Sequence, residues 1–400
     1  MSTFKFGSNF SLKGKYIFMQ LRRWHNTQEV GSFYDDKVTK YAQKSTSLVT
    51  LKQLVKFGQP PLSPSALLES ARYTRLGLPV RLARRVKALQ NLPFIVGTNP
   101  YIKRIYKLYL ETFKTISNFP EIVDEKTDIE FTEILTDTES NYYYLFYLWM
   151  YILGFQECKK YMSSENIKVF LDDMIRARIG IRLIAEQHIA LHNSDDPNYI
   201  GVINTKLKPD KLIQTCSNFV KELCEIHYGS SPDYIINGQT DTMFTYVPVH
   251  LEYIISEILK NSYRATVEFS QKIKRDEHPP IEITISHGKN YIGIRVRDQG
   301  GGIDPKDLPN IFEYSYTTVP QFDDDDPNYY NENILAGVSK TGMQTGIGGP
   351  IAGLGYGLPL ARIYADYFGG SMKLVSLHGH GCDVFIKLKH IDESLQDLQI

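Results

Sequence analysis

Apolar residues recur every three or four positions between about residues 46 and 195, and this period predicts amphipathic helices. Four stretches carry the pattern most clearly, at 66–89, 100–116, 141–163 and 166–192. Long helices joined by short loops pack most simply as an antiparallel bundle, so we predict a four-helix bundle here. The uncharged run at 141–155 is shorter than the roughly 20 residues of a bilayer span. It therefore predicts a buried bundle helix, and we expect no membrane span.

The pattern changes after residue 199, where runs with alternating apolar and polar positions enter between helical ones. Two helices are predicted at about 208–226 and 249–270. The predicted strands are 233–238, 281–286, 291–298, 371–377 and 382–389, of which the second and third form a hairpin, as do the last two. Strands beside helices without a βαβ rhythm predict an α/β sandwich with a mixed sheet and its helices on one face. The polar, glycine-rich segment 320–352 is predicted to be a lid loop.

Charge and cysteine usage exclude some classes of function. Lys and Arg together number 45, as do Asp and Glu, so no basic excess is available for binding nucleic acid. The four cysteines show no C-x-x-C spacing, so neither a disulfide framework nor a zinc site is predicted. The first 28 residues are basic, rich in hydroxyl side chains and free of acids, as in a mitochondrial transit peptide. A disordered basic tail is the alternative interpretation.

Three charged or polar side chains follow one face of the predicted helix 249–270. Glu257, Asn261 and Arg264 are spaced i, i+4 and i+7, so they project on the same side. A carboxylate can accept a proton and a carboxamide oxygen can bind Mg²⁺, a combination that suits phosphoryl transfer. An exposed polar stripe without chemistry would show the same spacing.

Asp298 ends the predicted strand 291–298 on its apolar side, in step with Ile292, Ile294 and Val296. A carboxylate placed there must find a hydrogen-bond donor, and the exocyclic amine of adenine is a suitable one. The glycines at 300–302 would let the backbone pass close to a ligand. The alternative is a hairpin turn capped by the aspartate.

Glycines at 353, 355 and 357 open a further predicted helix, where backbone N–H groups and the helix dipole favour a phosphate. The companions of a dinucleotide fold, a P-loop or a eukaryotic protein kinase are absent from the sequence. Thr317 and Thr318 offer hydroxyls just before the predicted lid. By themselves, the glycines could be only a helix-entry turn.

Taken together, the segments EILKNSYRA (257–265), DQGGGI (298–303) and GLGYGL (353–358) resemble the N, G1 and G2 boxes of the GHKL ATPases. Over about residues 48–392 the chain resembles one branch of that superfamily, the mitochondrial 2-oxoacid dehydrogenase kinases. The segments that carry this resemblance are LPVRLARRVKALQNLPFIVGTNP, FLDDMIRARIGIRLIAEQHIALH, NSYRATVE, YSYTTVP and GLGYGLPLARIYADYFGG.

The resemblance implies an α+β chain in which an N-terminal four-helix bundle precedes a GHKL (Bergerat) α/β sandwich that binds ATP. We therefore expect a transit peptide and linker at 1–45 and a bundle that docks on a lipoyl domain at 46–196. The kinase domain is expected at 197–392, followed by a short tail at 393–400.

The resemblance also assigns roles within the site. Glu257 would be the general base, Asn261 would hold Mg²⁺, and Asp298 would fix adenine. The residues expected to contact ATP are Glu257, Lys260, Asn261, Arg264, Asp298, Gly300, Gly302, Thr317, Thr318, Gly353, Leu354, Gly355, Tyr356, Gly357, Leu358 and Cys382.

The resemblance further implies a serine kinase of the mitochondrial matrix that inactivates the alpha subunit of a dehydrogenase component, docks on a lipoyl domain and forms a homodimer. Two features favour the branched-chain complex as target: Tyr253, where pyruvate-type kinases commonly have His, and the short C-terminal tail. The segment TLKQLVKFG at 50–58 favours the pyruvate complex, which is our preferred target.

Two residues depart from the expected pattern or invite another interpretation. Cys382 stands where the family usually has Thr, and because Cys preserves the shape we expect ATP binding to persist, although it is the weaker hydrogen-bonding partner. His188 in AEQHIALH resembles a histidine kinase phosphoacceptor, but a hydrogen-bonded bundle residue is the simpler interpretation. A histidine kinase, an ATP-dependent clamp and an inactive scaffold remain the alternative functions.

Overall fold

The computed structural model describes residues 36–45, 51–58, 62–140, 143–193, 196–314, 316 and 355–390. Several predictions fall outside these residues. They are the transit peptide up to residue 35, Thr317, Thr318, the lid at 320–352, Gly353, Leu354 and the tail at 393–400.

Eight helices form the N-terminal part of the described chain. They are α1 (Asp36–Ala42), α2 (Leu51–Phe57), α3 (Pro64–Gln90), α4 (Phe94–Gly97), α5 (Pro100–Asn118), α6 (Glu125–Ser140), α7 (Tyr143–Cys158) and α8 (Ser164–His192). The three longest begin at side-chain caps, because Ser63, Asn99 and Ser163 each accept a hydrogen bond from a backbone N–H of the first turn.

Helix α3 lies at the centre of this part and packs against α1, α5, α6 and α8. Its contact side is apolar, and side chains such as Leu78 of α3 and Phe113 of α5 are completely or almost completely buried. The four predicted helical stretches correspond to α3, α5, α7 and α8, so the apolar period located each of them correctly.

Helix α6 was not predicted, and it is a fifth helix of 16 residues or more within the described part of this region. Its sequence is acidic and rich in threonine, and among the side chains described in it Asp128, Phe131 and Leu135 are buried. Helix α1 lies inside the stretch assigned to the leader and linker, yet its Val38 is fully buried. The helical packing therefore extends at least to residue 36 on the N-terminal side.

The C-terminal part alternates helices with short strands. Its elements are β1 (Tyr199–Ile200), β2 (Ile203–Leu207), α9 (Pro209–Tyr228), β3 (Tyr234–Gly238), β4 (Phe244–Tyr246), α10 (Pro248–Lys272), β5 (Ile281–His287), β6 (Tyr291–Arg297), α11 (Gly357–Tyr367), β7 (Ser371–Leu377) and β8 (Gly381–Lys389). The chain is thus α+β, and every predicted helix and strand in this part is confirmed.

Five strands form the main sheet in the order β3-β5-β6-β8-β7. Strand β3 is parallel to β5 and all other pairs are antiparallel, which confirms a mixed sheet. Residues of one parity, such as Ile283, Ile294 and Ile386, are buried beneath α9, α10 and α11. The opposite side of the sheet mixes charged and apolar residues: Nε of Arg295 lies 2.7 Å from Oδ1 of Asp383 there, and Phe385 beside them is 44% exposed.

A second, antiparallel sheet in the order β1-β2-β4 was not predicted. Its outer strands have two and three residues, which is too short for an alternating pattern to be recognised. Among the described residues, no helix combines the length and the apolar character needed to cross a membrane.

Candidate active site

Helix α10 presents the acidic and amide side chains of the site. Ile254, Ile255 and Ile258 are buried on its apolar side, and this fixes the rotation of the helix. The Glu257 carboxylate is therefore only partly exposed, and Nζ of Lys260 forms an ion pair with its Oε1. Nδ2 of Asn261, one turn later, donates a 2.9 Å hydrogen bond to the Glu257 carbonyl oxygen. The sequence thus correctly predicted that Glu257 and Asn261 lie together.

Arg264 lies farther along the same face, and its Nε donates a 2.7 Å hydrogen bond to Oε1 of Glu268. This contact lies within α10, one turn beyond Arg264. In this structure the guanidinium is therefore engaged along its own helix and not with Glu257 or Asn261.

Asp298 follows β6 and is 5% exposed. Its Oδ1 accepts hydrogen bonds from the backbone N–H groups of Gly300 (3.0 Å) and Cys382 (3.1 Å). Its Oδ2 accepts one from Oγ of Ser262 in α10 at 3.2 Å. Burial raises the pKa of this carboxyl, although the three hydrogen bonds oppose the shift. The predicted inward orientation of Asp298 is confirmed.

Ser262 was not predicted as a site residue, although a signal for it exists in the sequence. It falls on the apolar side of α10, in step with the buried residues Ile255 and Leu259, and is itself 3% exposed. A hydroxyl on the buried side of a helix requires a hydrogen-bond partner. Here that partner is Asp298, so the helix and the strand end are joined.

The turn after Asp298 needs glycine because it runs close against neighbouring atoms. Gly302 has a φ of +69°, and a Cβ there would lie 2.3 Å from the carbonyl oxygen of Leu377. A Cβ on Gly300 would lie 2.5 Å from Cβ of Ala265 on α10. Any larger residue at either position would push this turn away from α10 or from β7.

The first turn of α11 lies directly over the Glu257 carboxylate. A Cβ on Gly357 would be 2.3 Å from Oε2 of Glu257, and Gly355 has a φ of +68° that favours glycine. Tyr356 between them is 4% exposed, and Leu358 is half-buried. The helix N-terminus therefore brings its free backbone N–H groups close to Glu257.

Cys382 is the second residue of β8 and lies beside Asp298. Its backbone N–H binds the Asp298 carboxylate, as described above, and its carbonyl oxygen accepts a 3.0 Å hydrogen bond from the Asp298 N–H. Burial, together with the Asp298 charge, raises the pKa of the thiol to about 11. The predicted inward parity with Val384 is consistent with its partial burial.

His188 lies far from this site in sequence, in the middle of the N-terminal helices, and is fully buried. Its Nδ1 is 3.1 Å from Oγ of Ser70, and its Nε2 is 3.1 Å from Oγ1 of Thr132. The prediction that His188 is a buried, hydrogen-bonded residue among the N-terminal helices is confirmed.

The site suits a nucleotide and its metal ion. Each oxygen of Asp298 can accept two hydrogen bonds, and Oδ2 accepts one from the described residues, so it could accept another from an adenine amine. The exposed carboxamide of Asn261 and the carboxylate of Glu257 offer the oxygen ligands that Mg²⁺ prefers. A Cβ at Gly355 would lie 2.4 Å from the Tyr316 carbonyl oxygen, and one at Gly357 would lie 2.3 Å from Oε2 of Glu257, so only glycine lets the start of α11 approach these groups so closely.

A mixed sheet covered by helices, with a carboxylate and an amide on α10 and a buried aspartate after β6, agrees with the ATP-binding domain of the GHKL class that the sequence resembles. Residues 246–391 match the family described as histidine kinase-, DNA gyrase B- and HSP90-like ATPase. Residues 48–204 match the family described as mitochondrial branched-chain alpha-ketoacid dehydrogenase kinase.

Relatives that match over most of the chain identify the family within the GHKL class. The chain is 34% identical to the mitochondrial [pyruvate dehydrogenase (acetyl-transferring)] kinase of Arabidopsis thaliana, with 91% of this chain and 96% of the relative covered. It is 32% identical to the protein of the same name from Schizosaccharomyces pombe, with 92% and 99% covered. Isozyme 1 of Mus musculus is 28% identical, with 90% and 81% covered. The chain belongs to the mitochondrial 2-oxoacid dehydrogenase kinase family.

Proposed function

We propose that the protein is a mitochondrial serine kinase that uses ATP to phosphorylate, and so inactivate, the alpha subunit of the first component of the pyruvate dehydrogenase complex. The observation that carries this proposal is that Gly357 closes on Glu257, one turn before Asn261, while Ser262 of the same helix holds the buried Asp298. Phosphoserine near a substrate channel would block it by charge and bulk.

In this proposal Asp298 and Cys382 hold the adenine end of ATP, and Ser262 keeps the Asp298 carboxylate in place. Backbone N–H groups at the start of α11 hold the phosphates. The same role is assigned to Gly353 and Leu354. Thr317 and Thr318, which precede the lid segment 320–352 in sequence, are proposed to contact ATP through their hydroxyls.

Glu257 accepts the proton of the attacking serine hydroxyl as the oxygen–phosphorus bond forms. Its ion pair with Lys260 keeps the carboxylate fixed in this position. Asn261 would hold Mg²⁺, which when bound neutralises phosphate charge as the phosphoryl group is transferred. ADP leaves with the electrons of the broken bond.

The remaining proposals concern assembly and location. The long helices α3, α5, α7 and α8 would form the four-helix bundle of the family, with α6 as an additional helix, and residues 46–196 would dock on a lipoyl domain of the acyltransferase core. Docking raises the effective concentration of the target serine. Residues 197–392 are the kinase domain, and the functional unit is a homodimer in the mitochondrial matrix. The basic, acid-poor first 28 residues support a transit peptide.

The branched-chain 2-oxoacid dehydrogenase complex is a second candidate target. The family matched by residues 48–204 carries that name, and Tyr253 favours the same assignment. Full-length relatives named for pyruvate dehydrogenase outweigh these features.

A histidine kinase is disfavoured because His188 is 0% exposed and both of its ring nitrogens contact hydroxyl groups. A phosphoacceptor must reach the γ-phosphate of ATP, so this side chain would first have to leave its buried position. An inactive scaffold is disfavoured because Glu257, Asn261 and Asp298 are all present, and α10, which carries the first two, also holds Asp298 through Ser262.

The deciding experiment is transfer of labelled phosphate from Mg-ATP to the purified pyruvate and branched-chain complexes. We expect acid-stable label on the alpha subunit of the pyruvate complex. Label on the branched-chain alpha subunit alone would name that complex as the target instead. ATP binding without transfer to either would support the scaffold.

Variants assign the chemistry within the same assay. Glu257→Gln removes the proton acceptor and should abolish labelling. Glu277→Gln is the control, because Glu277 is exposed beyond the end of α10 and should leave labelling unchanged. His188→Gln should also preserve labelling; its loss together with acid-labile phosphate would support the histidine kinase.

A further inference from the structure

Three side chains that bind metals in many proteins meet between α6 and α8, away from the ATP site. Asp128 of α6 is 2% exposed, and His188 and His192 of α8 are 0% and 18% exposed. Carboxylates are almost never buried unless they have a charged or metal partner. The proposed kinase function uses none of these side chains.

The two histidines are spaced i, i+4, which places them on the same face of α8. This H-x-x-x-H spacing is the one by which a helix offers two imidazoles to a single ion. The facing helix supplies the carboxylate. Nε2 of His188 lies 3.2 Å from Oδ1 of Asp128, and Nε2 of His192 lies 3.3 Å from its Oδ2.

The contacts within this cluster are incomplete as hydrogen bonds. Oδ1 of Asp128 and Nε2 of His192 are buried, and neither forms a hydrogen bond with the described residues. One ligand atom from each of the three residues can be chosen so that all lie within 4.8 Å of one another. Zn²⁺ ligands at roughly 2.0–2.2 Å in tetrahedral geometry lie about 3.3 Å apart, which is close to the distance from each histidine nitrogen to its nearer Asp128 oxygen.

We propose that Asp128, His188 and His192 form a binding site for a divalent transition-metal ion of the Zn²⁺ class, which ties α6 to α8. Water or the Thr132 hydroxyl, which is 3.1 Å from Nε2 of His188, completes the coordination. Two imidazoles and a carboxylate match the preference of Zn²⁺ for nitrogen and oxygen ligands.

Ser70 of α3 supports the proposed site from outside. Its Oγ lies 3.1 Å from Nδ1 of His188, the ring nitrogen that faces away from Asp128. Metal-binding histidines nearly always bond an outer partner through their second nitrogen, and this partner fixes the tautomer. The cluster therefore has both the ligands and an orienting contact.

The ion would explain how a polar helix is held in the core. Helix α6 buries Phe131 and Leu135 as its apolar contribution, and Asp128 lies one turn before them. An ion coordinated by residues of both helices would hold α6 against α8 more firmly than these few apolar contacts can by themselves. Asp128 and the two histidines lie on different helices, more than 50 residues apart in sequence. The search for C-x-x-C spacing could not detect such a site, because it contains no cysteine.

The test is to measure Zn²⁺ binding by isothermal titration calorimetry. The protein is full-length and untagged, is stripped of metal with EDTA and is kept free of nucleotide. We expect one Zn²⁺ per chain and a rise in melting temperature that grows with the Zn²⁺ concentration. Co²⁺ in the same protein should show the visible absorption of a four-coordinate site.

Variants separate a metal site from a hydrogen-bonded network. His192→Gln and Asp128→Asn should each abolish stoichiometric binding, and Ser70→Ala should weaken it about 10–100-fold. His227→Gln is the matched control, because His227 is exposed on α9 and should leave binding unchanged. If Asp128→Asn fails to fold, the partly exposed His192 still decides the question.

No stoichiometric Zn²⁺ binding to the unaltered protein would overturn the proposal and leave a buried aspartate shared by two histidines. Binding that survives His192→Gln would place the ion elsewhere, for example on the buried thiols, and would overturn it equally.

Discussion

Gly357 and Glu257 face each other so closely that a methyl group on the glycine would lie 2.3 Å from Oε2 of the carboxylate. The carboxylate has little freedom to move aside, because its other oxygen is paired with Lys260. Glycine at the first position of α11 is therefore a requirement of the site and not of helix formation. An alanine at that position would otherwise favour the helix.

We predict that Gly357→Ala lowers the rate of phosphate transfer by about 10²-fold, since a displacement of about 1 Å at a reacting group can cost that much. The melting temperature should change little, because the better helix propensity of alanine offsets part of the contact. Transfer kinetics and thermal unfolding of the same preparation measure both quantities.

The matched control for this variant is Gly97→Ala. A Cβ at Gly97 meets no atom within 4 Å, so this variant should retain full transfer activity. Equal losses in both variants, or a fully active Gly357→Ala, would contradict the assignment of Glu257 as proton acceptor.

A second prediction concerns Asp298→Asn. The amide keeps the shape of the side chain but replaces one acceptor oxygen with an NH₂ donor. This donor would face two other donors, the Ser262 hydroxyl and an adenine amine, so neither could donate a hydrogen bond to it. A site built around a buried acceptor rejects a mismatched ligand strongly, so ATP affinity should fall by about 10²-fold or more. Calorimetric ATP titration measures this loss.

The stability of Asp298→Asn should stay within about 1 kcal/mol of the unaltered protein, since loss of charge-assisted hydrogen bonds is offset by removal of a buried charge. Asp304→Asn, on the exposed part of the same loop, serves as the control and should bind ATP normally. Undiminished ATP affinity in Asp298→Asn would remove this residue from the adenine site.

Alternation along 291–298 was sufficient to place Asp298 inside, because a strand with one buried face fixes the direction of every second side chain. Helical spacing likewise placed Glu257 beside Asn261. Both inferences depend on local geometry, which a single sequence carries.

The missed features depend on contacts between distant segments. Ser262 becomes a site residue only because Asp298 lies 3.2 Å away, and the approach of Gly357 to Glu257 depends on how α11 docks on α10. Helix α6 was missed because few of its residues are apolar, so its period is weak. Such elements are held by tertiary packing more than by their own pattern.

A third prediction follows from the raised pKa of Cys382, which is about 11 in the folded protein compared with 9.0 ordinarily. In the unfolded chain the thiol ionises at a lower pH than in the folded chain. Its contribution to stability is therefore complete below about pH 9 and is lost as the pH rises through about 11. The loss is at most about 2–3 kcal/mol.

Urea unfolding at about pH 8 and about pH 11 tests this, with Cys382→Thr as the comparison. The unaltered protein should lose more unfolding free energy over that range than the threonine variant, since other titrating groups are common to both. The threonine hydroxyl should also preserve or improve ATP affinity. Identical pH dependence, or weaker ATP binding by Cys382→Thr, would contradict this account.

The last prediction concerns the connection between the helical part and the ATP site. The hydroxyl of Tyr314 donates to Oδ1 of Asp172 on α8, and its ring lies 5.5 Å from that of Tyr356. Burial, reinforced by the Asp172 contact, raises the pKa of Tyr314 far above its usual range. Next to it, Lys168 of α8 forms an ion pair with Glu313. The segment before Thr317 is thus anchored to α8.

We predict that Tyr314→Phe lowers the unfolding free energy by about 1–3 kcal/mol, because Asp172 loses a hydroxyl donor in a partly buried position. ATP affinity should also fall several-fold, since Tyr356 precedes Gly357 at the phosphate end of the site. Tyr161→Phe, on an exposed tyrosine, should change neither quantity. A normal ATP affinity in a destabilised Tyr314→Phe would mean that this contact holds the two parts together without reaching the nucleotide.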